Sequence, residues 1–176
     1  SSGMVKYVGH EIRAVIMNKL EMDVRDTVLL ANAESIAVEA SMVAYEGVVI
    51  AAERDAGSLR TMEENASKFG THNIEIIPEI TVEALEKLPT PRLAFIVAQK
   101  STIENDIVTL LKVNPKIKFI IYTLELDILA DIKYLMKKHG VDVTEVMQIA
   151  VSKVDKNGVF VAQPAPWMIT GEVKEK

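Results

Sequence analysis

The stretch DTVLLANAESIAVEA, at residues 26–40, is the part of the sequence that indicates the fold. Residues 27–30 are a short apolar run, and apolar side chains recur at helical spacing over residues 33–45. The stretch therefore predicts a strand that turns directly into a helix. In open α/β sheets ligands bind where such strands end, and glycines usually let the backbone approach the ligand there. This turn contains no glycine. The pattern therefore predicts an ordinary α/β fold whose ligand-binding edge lacks the usual glycine-rich turn.

The same alternation of strand and helix continues on both sides of this stretch. The other apolar runs that favour strands lie at residues 47–52, 74–77, 93–98 and 118–122. The other segments with helical periodicity lie at residues 10–20, 54–69, 82–88, 102–113 and 126–139. The run GVVIAA at 47–52 is apolar throughout, as expected for a parallel strand covered on both faces. The pattern predicts five βα units.

The C-terminal part of the chain has a different pattern. Residues 142–154 and 158–169 both alternate like strands, and they are separated by the turn sequence DKNG. Asn-Gly between two such runs is a strong signal for a hairpin. We therefore predict that an antiparallel hairpin follows the five βα units.

Composition and charge limit the classes of protein that this chain can belong to. Its 176 residues correspond to one domain, and its net charge of −5 argues against nucleic acid as the main partner. Cysteine is absent, which excludes disulfides and thiolate metal sites. No apolar run approaches the ~20 residues of a membrane helix. A cytoplasmic protein without a membrane partner is expected.

The ends of the sequence are interpreted separately from the domain. Residues 1–3, Ser-Ser-Gly before Met4, resemble a scar left by an expression vector. Residues 4–170 are predicted to form the single domain. The charged residues 171–176 are expected to be a frayed tail.

Several longer stretches resemble one family of enzymes. They are EIRAVIMNKLEM at 11–22, SIAVEAS at 35–41, VVIAAERDAGSLRTMEENASKFGTHNIEII at 48–77, VEALEKLP at 82–89, TLE at 123–125, IAVSK at 149–153 and PWMIT at 166–170. Through them the chain resembles the decarboxylating precorrin-6Y or cobalt-precorrin C(15)-methyltransferases of cobalamin biosynthesis, which are class I S-adenosylmethionine-dependent methyltransferases. The resemblance implies a Rossmann-like α/β/α sandwich with a mostly parallel seven-strand sheet and a C-terminal antiparallel hairpin.

The resemblance also implies a reaction and an assembly. Members of that family methylate a corrin-ring precursor at a meso carbon and remove carbon dioxide from an acetate side chain. The substrate is a large anionic tetrapyrrole, and S-adenosylmethionine is the methyl donor. The members form homotetramers, partly through the terminal strands, so a homo-oligomer is expected here.

The family's cofactor contacts map onto five positions of this sequence. Glu53 keeps the acidic residue that bonds the ribose hydroxyls, a role that suits a carboxylate with two acceptor oxygens. Ala31, Asn32 and Ala33 stand where the family has the glycine-rich turn D-x-G-x-G-x-G, and the turn is about two residues shorter. Of these, Asn32 adopts a positive φ at the lowest cost. Ile80 stands where an aspartate bonds the adenine amino group.

Other polar residues are weaker candidates for substrate binding. His10 falls where substrate enters in the family, while Lys100 and Ser101 follow the strand at 93–98, at the edge where α/β sheets bind ligands. The alternative interpretation is a solvated lysine, with Ser101 as a helix N-cap. His10, His72 and His139 are too far apart in sequence for a local metal motif, so no metal site is predicted. The pattern assigns no catalytic residue.

Three functions remain open from the sequence. The first is S-adenosylmethionine-dependent methyl transfer to a precorrin. The second is a non-catalytic homologue that acts as a binding or scaffold protein, which the missing glycines and Ile80 favour. The third is an enzyme that uses another ligand at the same strand ends, with His10, Glu53 and Lys100 in its pocket.

Overall fold

The computed structural model describes residues 9–70 and 72–175. The helices of this part of the chain are α1 His10–Leu20, α2 Glu34–Val43, α3 Ala56–Phe69, α4 Val82–Leu85, α5 Ile103–Val113 and α6 Leu126–Lys138. Its strands are β1 Thr27–Ala31, β2 Val48–Ala52, β3 Ile74–Ile77, β4 Leu93–Val97, β5 Lys118–Thr123, β6 Val141–Gln148, β7 Ser152–Val154, β8 Phe160–Ala162 and β9 Trp167–Val173.

The main sheet has seven strands in the order β3-β2-β1-β4-β5-β9-β6. The first five strands in that order are parallel, while β9 runs antiparallel to both β5 and β6. This confirms the predicted mostly parallel seven-strand sheet. The order of the parallel strands along the sheet changes direction between β1 and β4. The candidate site described below lies at the carboxyl ends of these two strands.

Helices cover both faces of the sheet. Successive strand residues point to opposite faces, so Leu29 and Ile50 pack with α4, α5 and α6, whereas Leu30 and Val49 pack with α1, α2 and α3. Apolar residues fill both layers, which explains the continuous apolar runs in the parallel strands. The predicted α/β/α sandwich is confirmed.

Helix α3 shows how local sequence sets the ends of an element. Asp55 precedes the helix, and its Oδ2 accepts a hydrogen bond of 2.8 Å from the Ser58 backbone N–H. Gly70 ends the helix in the left-handed region, at φ 65°. Both features are standard helix boundaries.

The predicted C-terminal hairpin is divided into two parts. β6 and β9 pair within the main sheet, while β7 and β8 form a separate two-stranded ribbon. Pro164 and Pro166 lie between β8 and β9 and have no N–H groups to donate to a ladder, so the pairing breaks there. At the ribbon turn, the Asp155 Oδ1 accepts hydrogen bonds from the backbone N–H groups of Asn157 and Val159, both at 2.9 Å.

The sheet extends beyond the domain end that the sequence predicted at residue 170. β9 continues to Val173, so residues 171–173 belong to the sheet rather than to a frayed tail. Gly171 is buried there, and a Cβ at this position would lie 2.6 Å from the Met136 Sδ and 2.9 Å from the Val141 Cγ1. This close packing holds the strand against α6. The predicted scar at residues 1–3 lies outside the described residues.

One ion pair joins three elements at the amino ends of the strands. Arg92, just before β4, donates from Nε to the Asp26 Oδ1 at 2.9 Å and from a terminal nitrogen to the Asp26 Oδ2 at 2.7 Å. The same terminal nitrogen donates to the Leu20 carbonyl oxygen at 3.0 Å, at the end of α1. Asp26 is buried, so this arrangement fixes α1, β1 and β4 relative to one another.

Candidate functional site

The carboxyl ends of β1 and β4 form the edge of the sheet at which this topology places a ligand. β1 leads into α2 on one face of the sheet and β4 leads into α5 on the other, so the two connections diverge. Residues 31–34, 53–55 and 98–102 border this edge.

Asn32 closes the turn between β1 and α2. It has a positive φ of 57°, a conformation that asparagine adopts at lower cost than alanine. Its backbone N–H donates to the Ala52 carbonyl oxygen at 2.9 Å, and its side-chain Nδ2 donates to the Val97 carbonyl oxygen at 3.2 Å. The residue is only 2% exposed. Asn32 therefore ties the ends of β1, β2 and β4 together across the point where the strand order reverses.

Glu53 lies directly after β2 and is almost completely enclosed. Its side chain is 1% exposed. Its Oε1 accepts a hydrogen bond of 2.9 Å from the Asp55 backbone N–H, whereas its Oε2 has no hydrogen-bond partner among the described residues. Burial raises the pKa of Glu53, while hydrogen bonds from the backbone N–H groups of Asp55 and Arg54 lower it and the negative charges of Glu34 and Asp55 raise it.

Arg54 and Asp106 form an ion pair next to Glu53 that the sequence analysis missed. Asp106 lies on α5 and is 1% exposed. Its Oδ1 accepts from a terminal nitrogen of Arg54 at 3.4 Å, and its Oδ2 has no partner among the described residues. Burial raises the pKa of Asp106, while Arg54 acts in the opposite direction.

A sequence signal for Asp106 was available. Asp106 shares the inner face of α5 with Ile103, Ile107 and Leu110, which are all buried. An acidic residue on the apolar face of a helix is rarely buried unless it has a partner. That pattern marks Asp106 as unusual, although it does not identify Arg54.

Comparison with known proteins decides the family. A family model described as a precorrin methyltransferase domain matches residues 6–171. The chain belongs to the precorrin methyltransferase family. This confirms the resemblance inferred from the sequence. No curated protein matches the sequence significantly.

Solved structures with the same fold include members of this family. A precorrin-6y C5,15-methyltransferase from Geobacter metallireducens superposes with a TM-score of 0.83 at 24% identity, covering 95% of this chain and 90% of that one. A precorrin 8W decarboxylase from Methanobacterium thermoautotrophicum gives 0.77 at 19% identity, covering 94% and 91%. A SAM-dependent O-methyltransferase from Thermotoga maritima gives 0.72 at 15% identity, covering 96% and 67%. At these identities the likenesses establish the fold.

The other positions that the resemblance assigns to cofactor contacts are apolar and buried in this precorrin methyltransferase domain. Ala31 and Ala33 are each 2% exposed. Ile80 packs in the apolar layer with Ile77, Leu85 and Ile103. These side chains contribute packing and no hydrogen-bond acceptor.

The candidate substrate residues make their contacts elsewhere. A terminal nitrogen of Arg13 lies 2.8 Å from the His10 Nδ1, at the exposed start of α1. Lys100 is exposed, with its Nζ 3.7 Å from the Asp127 Oδ2. Ser101 is exposed, and the N-cap position of α5 is occupied by Thr102. The structure therefore gives no contact that joins these three residues in one pocket.

No group of three or more histidine, cysteine, aspartate or glutamate side chains in residues 9–70 and 72–175 is arranged to hold a metal ion. In the same part of the chain, every helix is too short or too polar to span a bilayer.

The raised pKa of Glu53 gives a testable change in stability. A carboxyl group with a raised folded-state pKa destabilises the fold once pH rises above its unfolded value of 4.5, and the penalty vanishes below that value. We expect Glu53→Gln to raise the free energy of unfolding at pH 7 by roughly 1 kcal/mol, with a smaller gain near pH 4. Urea denaturation at both pH values measures it.

The matched control for this prediction is Glu64→Gln, an exposed position on α3 with the same change in charge. It should leave the free energy of unfolding within about 0.5 kcal/mol of the parent. A loss of stability in Glu53→Gln at pH 7 would contradict the conclusion that the buried Glu53 carboxylate has a raised pKa and destabilises the fold at that pH.

Proposed function

We propose that this chain is a non-catalytic precorrin methyltransferase homologue, a binding or scaffold protein that no longer binds S-adenosylmethionine in the family's pose. The observation that carries the proposal is the position of Asn32. Its side chain bonds the Val97 carbonyl oxygen between the carboxyl ends of β1 and β4. A cofactor that lies over these strand ends would have to break this bond and displace a buried side chain.

The residues on the methionine side of the family's site support the proposal. Ala31 and Ala33 carry Cβ atoms where the family has glycines, so the backbone is less accessible to a ligand. Glu34 lies in the first turn of α2, where the helix dipole would otherwise favour an anionic ligand group. Its side chain brings negative charge to the place that the methionine carboxylate would need.

The residues on the nucleoside side support it as well. Ile80 offers no acceptor for the adenine amino group, and Arg54 reaches across to Asp106 on α5. Taken together, the residues present do not fit S-adenosylmethionine in that pose.

The β7–β8 ribbon supports a role in association with other chains. Its large apolar side chains Val154, Phe160 and Val161 are exposed, as is Val159 in the turn. Exposed apolar groups that lie together favour contacts between proteins. The homotetramer that the family resemblance implies belongs to this proposal, as does the cytoplasmic location expected from composition. The tetrapyrrole ligand belongs to the methyl-transfer alternative below.

A second candidate function is S-adenosylmethionine-dependent methyl transfer to a precorrin. One observation favours it: Glu53 keeps the family's carboxylate, and its Oε2 has no hydrogen-bond partner among the described residues. That oxygen can accept a hydrogen bond from a ribose hydroxyl if the side chains that enclose it at this edge of the sheet move apart.

Calorimetric titration with S-adenosylmethionine and S-adenosylhomocysteine separates the two functions. We expect no binding heat up to millimolar ligand from protein that circular dichroism shows to be folded. A methyltransferase with an intact glycine-rich turn, titrated from the same ligand stock, is the positive control.

Micromolar binding, about 8 kcal/mol, would overturn the proposal and favour methyl transfer. In that case Glu53→Ala must abolish the heat if the carboxylate contacts the ribose. Unchanged affinity in this variant would exclude the ribose contact.

A further inference from the structure

A cavity of about 240 Å³ lies between α5 and α6, and we call it the α5–α6 cavity. It shares Lys100 with the edge of the sheet described above, but neither Asn32 nor Glu53 lines it. We propose that the α5–α6 cavity binds a small primary amine, with the apolar group of the ligand inside the cavity and its ammonium group at Asp131. This site goes beyond the proposed function and does not require S-adenosylmethionine.

The inner wall of the α5–α6 cavity is apolar. Ile103, Ile128 and Ile132 line it and belong to the buried layer between the sheet and these helices, and the half-buried Leu135 completes the wall. Small-molecule sites are typically concave and mostly apolar, with a few polar groups that fix the orientation of the ligand. The volume of this cavity suits a single ring or a short alkyl chain rather than a nucleotide cofactor.

Two carboxylates that line the α5–α6 cavity already have cationic partners. The Lys100 Nζ lies 3.7 Å from the Asp127 Oδ2, near the start of α6. The Glu104 Oε2 lies 3.3 Å from the Lys138 Nζ and 3.2 Å from the His139 Nε2, at the end of α6. The Lys100 and Asp127 side chains are both largely exposed, so their ion pair is weak and a ligand cation can compete with Lys100.

Asp131 is the third carboxylate in the lining, and it lies between those two ion pairs along α6. It is exposed, and it takes part in none of the ion pairs among the described residues. Residues four apart on a helix are neighbours on one face, and like charges at that spacing repel, as Asp127 and Asp131 do here. An ammonium group between them would offset this repulsion.

Charge complementarity therefore defines the occupant of the α5–α6 cavity. A carboxylate or phosphate beside Asp127 and Asp131 would be repelled. A metal ion is not favoured, because the described residues contain no group of three or more ligands arranged to hold one. A ligand with one ammonium group and one apolar group matches both the acidic rim and the apolar wall.

The probe for this site is 2-phenylethylamine, which carries one ring and one ammonium group. Titration of the ¹⁵N-labelled full chain in about 150 mM salt, which screens non-specific attraction, should shift the amide signals of residues 127–135 saturably. The expected dissociation constant is about 1 mM, because the ligand is small. Ethylamine lacks the ring and 3-phenylpropionate carries a carboxylate instead of the ammonium group, so each should bind roughly ten-fold more weakly.

Four variants test the residues. Asp127→Asn and Asp131→Asn keep the side-chain shapes and should each weaken 2-phenylethylamine roughly five-fold. Lys100→Gln removes the competing cation and should tighten binding, a gain that misfolding cannot imitate. Glu64→Gln removes an equal charge from the exposed surface of α3, which packs on the other face of the sheet, and should change nothing.

The pattern across ligands and variants decides the outcome. Absence of a saturable shift, or equal affinity for 2-phenylethylamine and either comparison ligand, would overturn the proposal. Equal weakening in Asp131→Asn and Glu64→Gln would mean general attraction to an acidic protein and would overturn the site as well. Weaker binding in Lys100→Gln would contradict the competition between Lys100 and the ligand. Binding of S-adenosylmethionine would refute the proposed function and leave the amine result unchanged.

Discussion

Gly47→Ala is expected to lower the free energy of unfolding by about 4 kcal/mol or more, at the upper end of single-residue effects. A Cβ at Gly47 would overlap the Asp26 carbonyl oxygen and lie 2.8 Å from the carbonyl carbons of Arg25 and Asp26. All of these are backbone atoms, so no side chain can move aside. The Asp26 carbonyl also accepts from the Val48 N–H at 2.9 Å, which means that relief of the clash would disturb the pairing of β1 with β2.

Gly57→Ala is the matched control for that variant. Gly57 lies in the first turn of α3, where a Cβ would meet only the Asp55 Oδ2 at 3.3 Å. Alanine favours the helix over glycine by up to about 1 kcal/mol, so stability should stay level or rise. Urea denaturation of both variants measures the difference. A loss in Gly47→Ala no larger than in Gly57→Ala would show that the backbone contact is not as tight as described.

Arg92→Ala is expected to destabilise the fold by about 3 kcal/mol. The substitution leaves the buried Asp26 carboxylate without the guanidinium that bonds both of its oxygens. It also removes the donor to the Leu20 carbonyl oxygen at the end of α1. Thermal and urea denaturation at pH 7 measure the loss.

Two comparisons make the Arg92 prediction specific. Arg25→Ala removes an exposed pair with Glu46, joined at 3.2 Å, and should cost no more than about 0.5 kcal/mol. Adding Asp26→Asn to Arg92→Ala removes the uncompensated charge and should recover part of the loss. If Arg25→Ala and Arg92→Ala cost the same, burial would not be the cause.

The scaffold could be predicted because its signals are local. Apolar runs such as GVVIAA at 47–52 and helical stripes such as that of α3 depend on neighbours within a few residues. The division of the C-terminal hairpin was not predicted, because the sequence of each half alternates like one continuous strand. Pro164 and Pro166 were the available signal for the break.

The candidate site could be predicted only in part, because its decisive contacts join distant residues. The residue type of Asn32 makes a positive φ less costly there, but its bond to Val97 spans 65 residues of sequence. The pair Arg54–Asp106 spans 52 residues. Periodicity and motifs describe neither contact, because both depend on how the strands are ordered in the sheet.

The position of β9 affects the order in which this protein folds during synthesis. β9 lies between β5 and β6 in the sheet although it follows both in the chain. The five parallel strands can therefore assemble as the chain emerges from the ribosome, while β6 must wait for residues 167–173 before it gains its partner. Until then the β5 edge remains open to wrong pairing with other chains. Completion of the sheet is thus a late event, and a nascent chain stalled before β9 would present an aggregation-prone edge.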